Sequence, residues 1–145
     1  MYFVDREKIE QTLLYMEKQL EFIGKNRSFQ TELEQLAFER STHVLIEVIL
    51  DIGNTMIDGF IMRDPGSYED IIDILDDEKV ITKDMIEPLK EVVGARKSLV
   101  QQYIEVDHDK IFTLFLNALP SLKQFPFSIR KYLTNELGPV SAFKN

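Results

Sequence analysis

The stretch that decides the fold is TELEQLAFERSTHVLIEVILDIGNTMIDGFI, Thr31–Ile61. Thr31 followed three residues later by Glu34 is a capping-box pattern. The hydroxyl can take the amide at position 34 while the carboxylate takes the amide at 31, which satisfies two of the donors that a helix start leaves open. The amphipathic run that follows predicts one helix reaching Ile61, with Gly53 inside it. A helix of that length organises a bundle around itself. Along it Arg40, His43, Glu47, Asp51, Asn54 and Asp58 fall within one arc, mostly at spacings of three or four. This arc reads as a solvated face or as a polar strip inside a cleft. A His followed by two carboxylates also suits a metal, but no second helix offers the matching Glu-x-x-His pair of carboxylate bundles, so no metal is expected.

Working outward, the rest of the chain is helical too, because no segment sustains period-two alternation and the Pro and Gly residues sit mostly at boundaries. A first helix is expected from Asp5 to Phe22 or Ile23, with Ile9, Leu13, Met16, Leu20 and Ile23 on one stripe and Gly24 as its stop. After Ile61, Arg63-Asp64-Pro65-Gly66-Ser67 is a turn, and Ser67 caps a short helix bearing Ile71, Ile72 and Leu75, which Asp76-Asp77-Glu78 ends. Thr82 is the next expected cap, with Ile81 and Ile86 as a hydrophobic staple. Pro88 predicts a kink or a fresh start, then a helix to Ile104. Asp107 caps a last apolar region with Ile111, Phe112, Leu114, Phe115, Leu116 and Leu119, which Pro120 and Pro126 should bend or break. A separate piece from Ser128 to Leu137, stopped by Gly138-Pro139, and a frayed tail over residues 138–145 complete the reading. The predicted fold class is all-α: a bundle of five to six helices with a long antiparallel pair at its centre.

Composition bounds the rest. A chain of 145 residues, 44% hydrophobic and 29% charged, is long enough for one core and too short for two, so residues 1–145 are expected to form a single unit. It has no cysteine, hence no disulfide, thiolate metal site or Cys nucleophile, and a reducing cytoplasm is the expected location. Met1-Tyr2-Phe3-Val4-Asp5-Arg6 is not a basic segment leading into an apolar one, and no apolar run approaches the roughly 20 residues that span a bilayer, so no membrane partner is expected. The net charge of -8 argues against a broad footprint for duplex DNA, so any contact with nucleic acid must be local. Pro65 to Glu91 holds nine acidic residues against three lysines, whereas Ser121 to Asn145 carries Lys123, Arg130, Lys131 and Lys144 against Glu136. These segments either dock partners or are simply solvated. No phosphate-binding Gly-rich loop is present. Phe112, Phe115, Phe125 and Phe127 read as core or dimer interface before a base-stacking platform.

The chemistry-bearing segment is Arg96-Lys97-Ser98-Leu99-Val100-Gln101-Gln102-Tyr103. At about 100° per residue, Arg96 and Tyr103 project from one helix face, beside Leu89, Val92, Leu99 and Val100. A guanidinium on such a stripe needs an anion, and Glu47 or Asp51 on the long helix can supply it. Gln101 stands about 140° round an ideal helix from Arg96, so those two converge only if the helix distorts or a second chain completes the site.

Together, Glu39-Arg40 opening the run to Asp51-Ile52-Gly53-Asn54, then Pro65-Gly66-Ser67-Tyr68-Glu69-Asp70, then Leu75, Ile81 and Leu89, then Gly94-Ala95-Arg96 and Tyr103 resemble the HepT-like branch of the all-helical HEPN domains, from Asp5 to Leu119. The family signature is an Arg, four residues, a His, one residue and a Tyr; here Gln101 occupies the His position. The Arg is often flanked by Phe and Asn in that family, where this chain has Ala95 and Lys97. The resemblance implies a homodimer whose paired motif helices form a cleft. It also implies ribonuclease toxin activity on single-stranded RNA without a cofactor, and a nucleotidyltransferase antitoxin that adenylylates the motif Tyr, here Tyr103. Carried over, Arg96 holds phosphate.

Metal-free RNA cleavage needs a group that takes the 2′-OH proton or protonates the leaving oxygen, plus a cation for the developing charge. His can do the first; glutamine has no usable proton at neutral pH. Nor does His108 fill the gap: it lies twelve residues past Arg96, in the first turn of the next helix. Two expectations follow. The chain is a toxin–antitoxin ribonuclease weakened at Gln101, or it is a catalytically degenerate HEPN protein that binds a nucleotidyltransferase, nucleotide or RNA.

Overall fold

The computed structural model describes residues 4–25 and 28–138, and among these residues there are five α-helices and no strand. Met1, Tyr2, Phe3 and the tail from Pro139 to Asn145 lie outside them. The first helix, α1, is Arg6–Lys25, and Asp5 Oδ1 accepts from the Lys8 amide at 3.0 Å to open it. Its buried residues Ile9, Leu13, Met16, Leu20 and Ile23 repeat every three or four positions, one stripe facing the core. Gly24 was expected to stop this helix, yet α1 continues through it. A glycine ends a helix by taking a positive φ, and among the described glycines only Gly138 does so.

The second helix, α2, spans Glu32–Gly59 and carries both bonds of the capping box: the Glu34 amide donates to Thr31 Oγ1 at 3.1 Å and the Thr31 amide to Glu34 Oε1 at 3.0 Å. It ends two residues before Ile61, which itself turns the chain at a φ of 55° while the Met62 amide reaches back to the Ile57 carbonyl at 2.9 Å. That closure is usually given to glycine; here a β-branched side chain occupies it. Gly53 lies in the middle of α2 where the next helix crosses, and a Cβ there would meet Ile71 Cγ2 at 2.4 Å.

Arg63 organises the loop that follows, its two terminal nitrogens donating to Asp70 at 2.7 and 2.8 Å while the Gly66 amide donates to the same carboxylate at 2.8 Å. The Arg63 guanidinium and the Gly66 amide hold the Asp70 carboxyl well below the usual carboxylate range. Ser67 Oγ then accepts from the Asp70 amide and caps α3, Tyr68–Asp77, which buries Ile71, Ile72, Ile74 and Leu75.

Thr82 was expected to cap the next helix. Its hydroxyl instead bonds Asp84, and the backbone first forms a short 3-10 turn, Lys83–Met85. The following helix, α4, is Ile86–Gly94. Pro88 sits in its first turn, where an amide has no partner within the helix, so proline costs little there and the chain makes a fresh start. The helix expected to reach Ile104 stops at Gly94. It gives way to a π turn over Lys97–Gln101, closed by the Gln102 amide on the Lys97 carbonyl at 3.0 Å.

Asp107 Oδ1 accepts from the Lys110 amide at 3.1 Å and opens α5, His108–Leu137. Pro120 and Pro126 lie inside this single helix, and no separate piece begins at Ser128. An internal proline costs about 3 kcal/mol. Here Phe115, Ala118, Leu122, Phe125, Ile129 and Leu133 are all buried and step across both prolines, so the apolar stripe keeps the helix continuous. Phe112 is half-buried against the core, whereas Phe127 is exposed.

The three long helices pack side by side. Ser41 Oγ donates to Gln19 Oε1 at 2.8 Å, which ties α2 back along α1. Arg6 Nη1 donates to the Gly138 carbonyl at 2.8 Å and Arg130 bonds both Glu10 and Glu17, so α5 runs antiparallel to α1. Where α2 and α5 begin, Phe29, Phe38 and Phe112 stack with centroids 4.5–6.0 Å apart; where they end, Phe60 and Tyr132 meet edge-on at 5.0 Å. Thus α2 and α5 are parallel, each opposed to α1, and α3 and α4 close the remaining side.

Candidate functional site

The middle of α2 supplies the floor of the candidate site. Its apolar side, with Leu45, Ile46 and Ile49, is fully buried, and at the margin His43 and Glu47 stand one turn apart and half-buried. Four residues carry a helix just past one turn, so both side chains lean the same way. His43 Nε2 lies 3.6 Å from Glu47 Oε1.

The wall is the π turn. Ala95 and Leu99 are buried on either side of Arg96, and the widened turn lets both pack while Arg96 reaches across to α2. Arg96 Nε donates to Glu47 Oε1 at 2.8 Å, the same oxygen that faces His43. The guanidinium carbon also sits 5.0 Å above the ring of Tyr68, the first residue of α3, within cation–π range. Glu47 makes Arg96 harder still to deprotonate, with Tyr68 adding to the effect. Among the described residues its Nη1 and Nη2 have no acceptor, and the side chain keeps 22% of its surface open. The free fork is the geometry that takes two oxygens of a phosphate.

The anion Arg96 requires is therefore Glu47. Asp51, one turn further on, does not touch Arg96; partial desolvation first, and the charge of Glu47 second, push its carboxyl above the ordinary value. Arg96 and Tyr103 do not share one helix face, since α4 has ended before either. Tyr103 lies in the turn after the π segment, 65% exposed, and its hydroxyl has no hydrogen-bond partner among the described residues. Gln101 is exposed as well. A π turn hydrogen-bonds residues five apart, so the separation of about 140° expected between Arg96 and Gln101 on an ideal helix shrinks. Such turns recur at functional sites.

The structure thus brings Arg96, Glu47, His43 and Tyr68 together, sets Asp51 at the margin, and leaves Gln101 and Tyr103 on an open rim. His108 is the first residue of α5 and pairs elsewhere, its Nε2 2.8 Å from Glu39 Oε2. Among the described residues no group of three His, Asp or Glu side chains converges as a metal site. Tyr68 was not foreseen as part of the site. Its signal was the position beside the Ser67 cap, which aims the first side chain of α3 back along the loop.

Residues 9–129 match the family model described as Ribonuclease HepT-like. The chain is 54% identical over 144 residues to the Bacillus subtilis (strain 168) protein named "Putative RNase YutE", covering 99% of this chain and 100% of the relative. The solved structure of YutE, described as a cytosolic protein of unknown function, superposes with a TM-score of 0.94 over 99% of this chain and all of that one. A tri-AMPylated HEPN toxin of Shewanella oneidensis in complex with MNT antitoxin gives a TM-score of 0.74 at 23% identity, covering 85% of this chain and 96% of that one. A toxin-antitoxin structure with AMP-PNP gives 0.72 at 21%, with 83% and 96% covered. These two show a common fold.

Proposed function

Because this chain belongs to the HepT-like ribonuclease family, we propose that it is a toxin–antitoxin ribonuclease that cuts single-stranded RNA without a metal, with Arg96 gripping the scissile phosphate. The observation that carries this reading is the state of Arg96: anchored through Nε to Glu47, braced on Tyr68, and with both terminal nitrogens unused among the described residues. Arg130, by contrast, spends its whole fork on Glu10 and Glu17. Preorganised donors aimed at developing phosphate charge act before any solvent rearranges. The overall charge of -8 keeps non-specific duplex binding low and leaves recognition to this local cation.

A second copy of the chain faces the cleft and completes its far side in the proposed homodimer. Tyr103, exposed and without a hydrogen-bond partner among the described residues, is accessible to a nucleotidyltransferase antitoxin, the kind of partner present beside the Shewanella oneidensis toxin. Adding a nucleotide there places negative charge on the rim of the cleft, where it opposes the binding of RNA. The proposed setting is the cytoplasm: YutE is described as cytosolic, and no described helix here is long and apolar enough to cross a membrane.

Gln101 favours a second reading, a degenerate HEPN protein that binds RNA or its partner without cutting it. One assay separates the two. Wild type, Arg96→Ala and Gln101→His are incubated with single-stranded RNA in the presence of a chelator. The ribonuclease reading expects cleavage by wild type and a loss on the order of 10²–10³ in Arg96→Ala. The degenerate reading expects no cleavage by wild type and a gain in Gln101→His.

A further inference from the structure

With Gln101 unable to move a proton, the structure offers another group for that task, and we infer that His43 is the proton-transfer residue of this ribonuclease. The inference rests on the ribonuclease reading above and names the group that it leaves unassigned. One oxygen, Glu47 Oε1, is shared by Arg96 Nε at 2.8 Å and His43 Nε2 at 3.6 Å. Arg96, with its fork free for phosphate, and an imidazole that keeps 31% of its surface open are thus anchored on one carboxylate. In the tautomer assigned, the Nε2 proton faces that carboxylate. A proton on Nε2 turned toward Glu47 leaves Nδ1 as the free base, the orienting role that a third group plays in nucleophile–base pairs generally. The distance of 3.6 Å is long for a hydrogen bond, as such contacts often are before substrate binds.

The other histidine is poorly placed. His108 is committed to Glu39, and Glu39 lies eight residues before Glu47 on α2, about 12 Å along the axis at 1.5 Å per residue. His43 is only one turn from the anchor. The charged groups around it are Glu47, Glu39 and Arg40 from α2 and Arg96 from the π turn, with Tyr68 of α3 behind Arg96.

In the step assigned, Nδ1 of neutral His43 takes the 2′-OH proton while the 2′ oxygen forms its bond to phosphorus and the bond from phosphorus to the 5′ oxygen breaks. That oxygen leaves with a proton from water, and the imidazolium returns its proton to solvent. The products are a 2′,3′-cyclic phosphate and a 5′-hydroxyl, and no oxidant or metal is consumed.

The test measures single-turnover cleavage of a single-stranded RNA by wild type, Arg96→Ala, His43→Gln and His43→Ala, the last with and without added imidazole. RNA binding and thermal melting are measured alongside. A loss of about 10²-fold or more in His43→Gln, at unchanged melting temperature and with product ends as above, together with recovery of His43→Ala by free imidazole, supports the inference. Cleavage by His43→Gln within about threefold of wild type, while Arg96→Ala is inactive, overturns the role of His43 and leaves the ribonuclease reading standing. A loss in His43→Ala that imidazole does not relieve makes His43 a positioning residue and overturns proton transfer. Absence of cleavage by wild type overturns the ribonuclease reading and this inference with it.

Discussion

Gly53→Ala should destabilise the protein, although local propensity alone says the opposite. In a helix interior alanine is favoured over glycine by roughly 0.5–1 kcal/mol, and Gly53 lies well inside α2. A Cβ at this position would stand 2.4 Å from Ile71 Cγ2, more than 1 Å inside the normal carbon–carbon contact of about 3.5–4.0 Å. The side chain of Ile71 cannot swing away, because a β-branched residue in a helix holds essentially one rotamer and this one is 2% exposed. Helix α3 must move off α2, and overpacking of this kind costs about 1–3 kcal/mol. A clash deeper than 1 Å draws on the upper part of that range, about 2–3 kcal/mol, so against the propensity gain the net loss is about 1–2.5 kcal/mol, or a melting temperature lower by roughly 3–8 °C for a chain of this size. Calorimetry or urea denaturation measures it. The pair with Ile71→Ala gives a sharper check, because that substitution removes the clashing methyl: the double variant should lose less than the sum of the singles. A Gly53→Ala protein as stable as wild type or more so, or strictly additive losses, would refute the close-approach account.

Ile61→Gly should stabilise. The left-handed conformation costs a non-glycine residue about 1–2 kcal/mol, more than the roughly 0.5–1 kcal/mol of extra unfolded-state freedom that glycine brings, and an unchanged or lower melting temperature would count against strain at this turn. Asp51→Asn should raise the melting temperature at pH 7 and leave it unchanged at pH 3. Partial desolvation and Glu47 raise the folded carboxyl above its ordinary 3.8, so ionised Asp51 opposes folding only at higher pH. Glu17 has the opposite sign: the Arg130 bond lowers its carboxyl below 4.5, giving stability that is present above that value and lost as pH falls through the lower folded one. Melting curves of Arg130→Met should accordingly depend less steeply on acid than those of wild type.

Much of the chain was legible residue by residue because caps are local. Thr31 with Glu34, Ser67 with Asp70, and Asp107 with Lys110 each satisfy amides within three residues, so the starts of α2, α3 and α5 follow from the sequence. The ends were harder. Gly24 and Thr82 carry the signals of a stop and a cap, yet whether a glycine takes a positive φ or a threonine meets an amide depends on where the next segment is drawn. Pro120 and Pro126 misled for the same reason, since the six buried side chains that hold α5 together find their partners on other helices.

By itself, then, the sequence determined an all-helical chain, its family, and the residue types at the motif, including a glutamine where a histidine was expected. Only the tertiary structure decided which anion meets Arg96, that Tyr68 lies beneath it, that a π turn interrupts the motif helix, and that His43 faces the same carboxylate. Helix periodicity reports which way a side chain leans from its own axis, whereas a site is made by the crossing of several axes. Arg96 and Glu47 are 49 residues apart, and no local rule specifies where those two axes meet.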